Sequence, residues 1–230
     1  MEKEEVFELM GKYYGNAYYR SANRLHYTRE DLLLTKSLLD QVNALGYRFS
    51  NVHSLQNVED ARFLPIIFDA ISQYKSDDFK GGLLQAICHR SYHSASSELI
   101  KLYDEPSMRA LRWNISDALF RIRTREMIPA LLEIVKREQY GEEPDRILEI
   151  LIRYKVDAAL EKLKALMEKD PFWENLFLRY AASFRDPTLL GLVEQRMEAE
   201  DPYMRSLAKK AIKKMKRDLG GKEEPENKLQ

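Results

Sequence analysis

Asp201-Pro202-Tyr203-Met204-Arg205-Ser206-Leu207-Ala208-Lys209-Lys210-Ala211-Ile212 is the stretch on which the fold turns. It reads as a turn, an apolar residue, a charged residue, and then apolar residues at helical spacing. Apolar residues three and four apart share one face of an α-helix. The same order occurs as Phe79-Lys80 with Leu83, Ala86 and Ile87, and as Leu111-Arg112 with Ile115, Ala118, Leu119 and Ile122. It occurs again as Trp173-Glu174 with Phe177, Tyr180 and Ala181. The charged positions Lys80, Arg112, Glu174 and Arg205 are 32, 62 and 31 residues apart (112−80, 174−112, 205−174). The period is therefore about 31, with one blurred copy between Pro144 and Tyr154. A fixed period of this size marks a solenoid, in which each unit buries its apolar stripe against its neighbours.

The remaining helices are read from their ends. Phe63-Leu64-Pro65-Ile66-Ile67 recurs 64 residues later (127−63) as Met127-Ile128-Pro129-Ala130-Leu131-Leu132. In both places a proline stands early in a helix, where its missing N–H does little harm. Thr28 followed by Asp31 resembles a capping box. The helix it opens carries Leu32, Leu38, Leu39, Val42 and Leu45, with Gly46 as its C-terminal cap. An earlier helix is expected from about Glu4 into the low twenties, with Val6, Leu9, Met10, Tyr13 and Ala17 as its stripe. Tyr47 to Asn57 reads as a connector, because polar residues interrupt any stripe. No segment alternates strictly, so the class is all-α.

Asp201-Pro202-Tyr203-Met204-Arg205 with Ala208, Ala211 and Ile212 resembles the second helix of a HEAT repeat. Arg185-Asp186-Pro187 with Leu189, Leu190 and Val193 resembles a first helix. Arg112-Trp113-Asn114-Ile115 with Ala118-Leu119 and Tyr140-Gly141 is similar to a group of small bacterial HEAT-repeat proteins without assigned activity. The resemblance implies a right-handed α-α superhelix. Residues 1–57 would form an N-terminal helical cap and connector, 58–217 an array of about five helix pairs, and 218–230 a disordered polar tail. The blurred third pair, and Glu174 where a basic residue is usual, depart from the pattern.

The 230 residues carry 37 Lys+Arg and 37 Asp+Glu. A zero balance argues against a dedicated nucleic-acid binder, which has a basic excess. A lone cysteine, Cys88, cannot close an internal disulfide and fits a reducing compartment. Met-Glu-Lys-Glu-Glu, with no apolar run behind it, does not read as a signal peptide. No run approaches the ~18–20 apolar residues of a spanning helix. The expectation is a soluble, cytoplasmic, monomeric chain that does not engage a membrane.

Chemistry-bearing residues concentrate in the helix expected from Ser107 to Ile122. Its core stripe is Leu111, Ile115, Ala118, Leu119 and Ile122. Trp113, Asp117 and Phe120 fall on another face, with Asn114 and Arg121 beside them. One reading makes this face a binding surface inside a concave groove, because Trp and nearby charges dominate interface energies. The plainer reading packs Trp113 against the neighbouring repeat, as tryptophan usually is. An aromatic and an acid on one helix also resemble the groove of HEAT-like alkylpurine DNA glycosylases, which implies base stacking and a carboxylate near the sugar. Such an enzyme needs cations for phosphates, which a neutral chain does not supply in excess.

Other residues read more simply. His89 and His93, one helical turn apart beside Cys88, could begin a metal site, but no third ligand stands near and no metal or other cofactor is expected. The His-Glu dipeptides of di-iron HEAT-repeat hydroxylases are absent. Arg205, Lys209, Lys210, Lys213, Lys214, Lys216 and Arg217 surround a stripe of Ala208, Ala211, Ile212 and Met215, as a terminal repeat requires for solubility, with a phosphate-binding patch as the alternative reading. Tyr13, Tyr14, Tyr18 and Tyr19 cover more than one helix face, partly as core. No phosphate-cradling glycine loop and no nucleophile–histidine motif is present. The expected function is non-catalytic: a protein-binding or scaffold module, such as a bacterial adaptor or an immunity-type inhibitor, whose partner is another protein.

Overall fold

The computed structural model describes residues 29–137, 145–170 and 172–220. All regular structure among them is helical, with no strand. The expected first helix, its tyrosine cluster and the tail beyond Gly220 lie outside the described residues. The chain packs as two units. The described part of one is 29–131 with 145–147; that of the other is 132–137, 148–170 and 172–220. The division falls inside the stretch read as one array.

In the first unit, α1 (Arg29–Ala44) buries Leu32, Leu38, Leu39 and Val42 of the expected stripe, while Leu45 falls in the turn after the helix and is only half-buried. It ends at Gly46, whose φ of 101° lies in the left-handed region that glycine enters without a Cβ clash. The connector is not a loose loop. Tyr47 and Phe49 stack at 5.0 Å, and both meet the Phe63 ring edge-on. Asn43 clamps Phe49 by accepting from its backbone N–H and donating to its carbonyl. A 3-10 turn, Val52–Asn57, follows under an Asn51 cap. Its polar residues concealed it, because a single tight turn has no long stripe to read.

Next come α2 (Phe63–Gln73), α3 (Asp77–Ala86), α4 (Ser96–Asp104) and α5 (Arg112–Ile122). α1 packs on α2, α2 on α3, α4 on α5, and α3 on α5. Two helices, α6 (Ile128–Lys136) and α7 (Asp145–Arg153), contribute residues to both units. The second unit continues with α8 (Asp157–Met167), α9 (Phe172–Tyr180), α10 (Leu189–Glu194) and α11 (Pro202–Gly220). There α8 packs on α9, while α9 and α10 pack on α11.

α5 starts later than its stripe implies. Pro106–Leu111 forms a 3-10 turn, and the α-helix begins at Arg112. Proline opens the tight turn, since it lacks the N–H that a helix interior would need. Arg112 itself is buried. Its Nε donates to the Tyr103 carbonyl at 3.1 Å, and its guanidinium lies 5.3 Å from the Tyr103 ring centre. Arg205, at the equivalent repeat position, donates in the same way to the carbonyls of Ala199 and Glu200. In each case the arginine satisfies carbonyls near the end of the preceding helical segment, which helix termini leave open. Glu174 inverts the arrangement: its carboxylate accepts from Arg196 Nε and Nη2, at 3.1 and 2.8 Å. The blurred copy is α7. Ile147, Leu148, Ile150, Leu151 and Ile152 are all fully buried there, while Arg146, Glu149 and Arg153 share the opposite face at helical spacing.

Candidate functional site

Residues 113, 117 and 120 stand one turn apart along α5, whose opposite face anchors Ile115, Ala118, Leu119 and Ile122 at zero exposure. With that core stripe fixed, Trp113 on the other face is left to solvent, while Asp117 and Phe120 are half-buried. Trp113 is 56% exposed, although tryptophan is usually mostly buried. It borders a groove of about 240 Å³, lined also by Gln85 and Cys88 from α3 and the turn after it, and by Asn114, Asp117 and Arg121. Trp113, Asn114, Asp117 and Arg121 are thus brought together. Phe120 stands beside the groove rather than in its wall. Its ring lies under the guanidinium groups of Arg146 and Arg123, at 4.9 and 5.6 Å.

Arg146 is the residue that sequence reading missed. It comes from α7, the stretch whose pattern was blurred in the sequence, where it shares the polar face of the helix with Glu149 and Arg153. Its Nε stands 3.6 Å from Asp117, and Arg121 stands 3.9 Å away on the other side. Asp117 is therefore a half-shielded acid between two cations, with a side chain 20% exposed. The groove rim combines one open indole, one flanked carboxylate and the positive charge of Arg121, which is 62% exposed.

Cys88 forms part of the groove wall but is chemically quiet. Burial, and secondarily the Asp117 charge, push its thiol up to about 12 against the pull of Arg121. Its Sγ donates to the Leu84 carbonyl at 3.4 Å. At pH 8 only about one thiol in 10⁴ is then ionised, and the thiolate is the reactive form. Cys88 is expected to react with a thiol reagent at least about 100-fold more slowly in the native protein than in denaturant. Equal rates in both states, followed by absorbance, would show the thiol to be open and ionisable.

The two histidines do not share a helix face, because α3 ends at Ala86. His89 Nδ1 instead faces Glu59 at 3.1 Å, and the Ser91 hydroxyl donates to the other oxygen of Glu59. His93 lies in a separate 3-10 turn, His93–Ala95. Among the described residues, no group of three or more His, Cys, Asp and Glu side chains is placed to hold a metal ion. No helix among them is long and apolar enough to cross a membrane. On α11, Lys209, Lys210, Lys213, Lys214, Lys216 and Arg217 are exposed around buried Ala208, Ala211 and Met215. Comparison with known proteins returns no match, whether to a family model, to a curated protein or to a solved structure.

Proposed function

We propose that the chain is a non-catalytic binding module of the HEAT-like helical-repeat type, and that its protein partner docks on the Trp113 face of α5. The observation that carries this reading is the exposure of Trp113 above a groove edged by Asn114, Asp117 and Arg121. An open indole costs solvation that burial against a partner would recover, and Trp with Arg is the commonest composition of energetic hot spots. The repeat assignment draws support from packing between chain neighbours and from the shared carbonyl-anchoring role of Arg112 and Arg205. A cytoplasmic bacterial adaptor or an immunity-type inhibitor is the concrete form we favour, on the analogy of fold alone.

The structure changes which variant tests this cleanly. Asp117→Lys would set a third cation between Arg121 and Arg146, so lost folding could imitate lost binding. Trp113→Ala removes a side chain that contributes little to the core and should shift the melting temperature by no more than about 2 °C. Affinity capture from the native source, read by mass spectrometry, should then lose its specific partners, since truncating a hot-spot Trp costs about 2 kcal/mol or more. Capture of the same partners at the same yield would place the binding surface elsewhere.

A further inference from the structure

Where α5 ends, the chain borders a second hollow of about 630 Å³, and none of the residues lining it lines the Trp113 groove. Two guanidinium groups, Arg90 and Arg123, border it together with the His93 imidazole and the hydroxyls of Ser94, Ser96 and Thr124. They arrive from three segments: the chain following α3, the entry to α4, and the link between α5 and α6. One carboxylate, Glu126, shares the space. Two arginines against one glutamate leave a positive balance.

Arg123 stands out by its backbone. It closes α5 with φ 23° and ψ 98°, its N–H bonded to the Leu119 carbonyl at 2.8 Å. A positive φ at a helix end is the place where glycine is normally found, because a Cβ is strained there. An arginine held in that conformation sets its side chain at the hollow at a conformational cost, and such strain clusters at ligand-binding sites.

We propose that this hollow binds a small phosphomonoester by its phosphoryl group. A phosphoryl dianion offers three acceptor oxygens, and guanidinium forks and hydroxyls are the donors that match them. The Ser96 hydroxyl donates to the His93 carbonyl at 2.8 Å and the Thr124 hydroxyl to the Glu126 carboxylate, so the donors counted for the phosphoryl group are the two guanidinium forks and the Ser94 hydroxyl. The hollow's volume falls in the range of small-molecule sites, about 300–1,000 Å³, leaving room for a hydroxylated body beside the phosphoryl group.

The test is calorimetric titration of the full chain with ribose 5-phosphate, inorganic phosphate and ribose, at constant ionic strength. Ribose 5-phosphate should bind saturably at one site per chain, and ribose should not bind. Arg90→Ala, which alters an exposed side chain, should weaken that binding about tenfold or more, the value of one charge-assisted hydrogen bond. Arg123→Gly should weaken it by a similar factor while the melting temperature holds or rises, because glycine accepts the positive φ; a merely structural Arg123 would lower it. Equal affinity for inorganic phosphate would uphold phosphoryl recognition and assign the occupant to the free ion. Binding no tighter than that of ribose, or binding unchanged in Arg90→Ala, overturns the proposal. Trp113→Ala should leave the titration untouched, so this site and the docking surface stand or fall separately.

Discussion

Arg112→Ala is expected to destabilise the first unit by about 2–4 kcal/mol, combining a lost charge-assisted hydrogen bond with lost packing of the buried stem. The Arg112 side chain is 8% exposed as a residue, bonds the Tyr103 carbonyl and lies over the Tyr103 ring. Its removal opens a cavity beside a fully buried tyrosine and leaves a carbonyl near the end of α4 without its donor. Arg112→Lys should recover only part of the loss, because an ammonium has neither the flat face nor the Nε donor of a guanidinium. Urea unfolding followed by circular dichroism measures the effect. An unchanged midpoint for Arg112→Ala would mean that the anchoring contact contributes nothing. Arg205→Ala, in the other unit, should show a weaker form of the same loss, since Arg205 is only partly buried.

The repeated charged position was therefore readable as a position but not as a role. Its spacing announced helices at Phe79-Lys80, Leu111-Arg112, Trp173-Glu174 and Met204-Arg205, and each apolar stripe named with them is largely buried. Periodicity could report this because one-sided burial writes itself into the order of apolar and polar residues. It failed where the charged position of the pattern is itself covered or the element is short. In α7, Glu149 stands between Arg146 and Arg153 on the polar face yet is buried, and the turns at Val52–Asn57 and Pro106–Leu111 are too short to show a period. The local stop signals did better: Gly46 ends α1 as its φ requires, whereas Arg123 ends α5 with no glycine to announce it.

The candidate site was legible to the same extent. Spacing along one helix placed Trp113, Asn114, Asp117 and Arg121 on a common groove, because residues on one helix need only the helical repeat to be related. Whether Trp113 faced a neighbour or solvent depended on what stood opposite, which no single stretch encodes; among the described residues it is 56% exposed. Arg146 lies 29 residues beyond Asp117 (146−117) and meets it only through tertiary packing. The acidic side chain offered as an open contact is consequently a neutralised one, and the indole is the freer group. The hollow around Arg90 and Arg123 had no sequence signal at all, since its donors come from three short irregular segments.

The second large effect should appear at Glu149, the most deeply buried carboxylate among the described residues of the second unit. It is 3% exposed, and its Oε1 accepts from the Tyr180 hydroxyl and from Arg153 Nη2 at 3.1 Å, with Arg179 at 4.0 Å. Arg153 Nε also donates to the Tyr180 oxygen at 2.8 Å, which closes the network. Burial alone would raise the Glu149 carboxyl. The hydrogen bonds from Tyr180 and Arg153 and the charges of both arginines outweigh it, and the group is held below its ordinary value of 4.5. Burial, and then the bond to Glu149, raise the Tyr180 phenol in return. A carboxyl whose folded value is depressed contributes stability that is fully present above about pH 4.5 and is lost as pH falls through the folded value. Glu149→Gln should therefore cost about 2 kcal/mol at pH 7; we take the lower part of the range for buried charged hydrogen bonds because Arg153 and Arg179 remain partly solvated. The gap between variant and parent should narrow steadily below pH 4.5, as the parent's carboxyl becomes protonated and the two side chains become alike in charge. The chain has two tryptophans, Trp113 in the first unit and buried Trp173 in the second. In a Trp113→Phe background, Trp173 fluorescence reports the unfolding of the unit that holds Glu149. A variant equally stable at pH 7, or a gap that widens towards acid, would show that the Tyr180–Arg153–Glu149 network does not hold the carboxylate charged in the folded state.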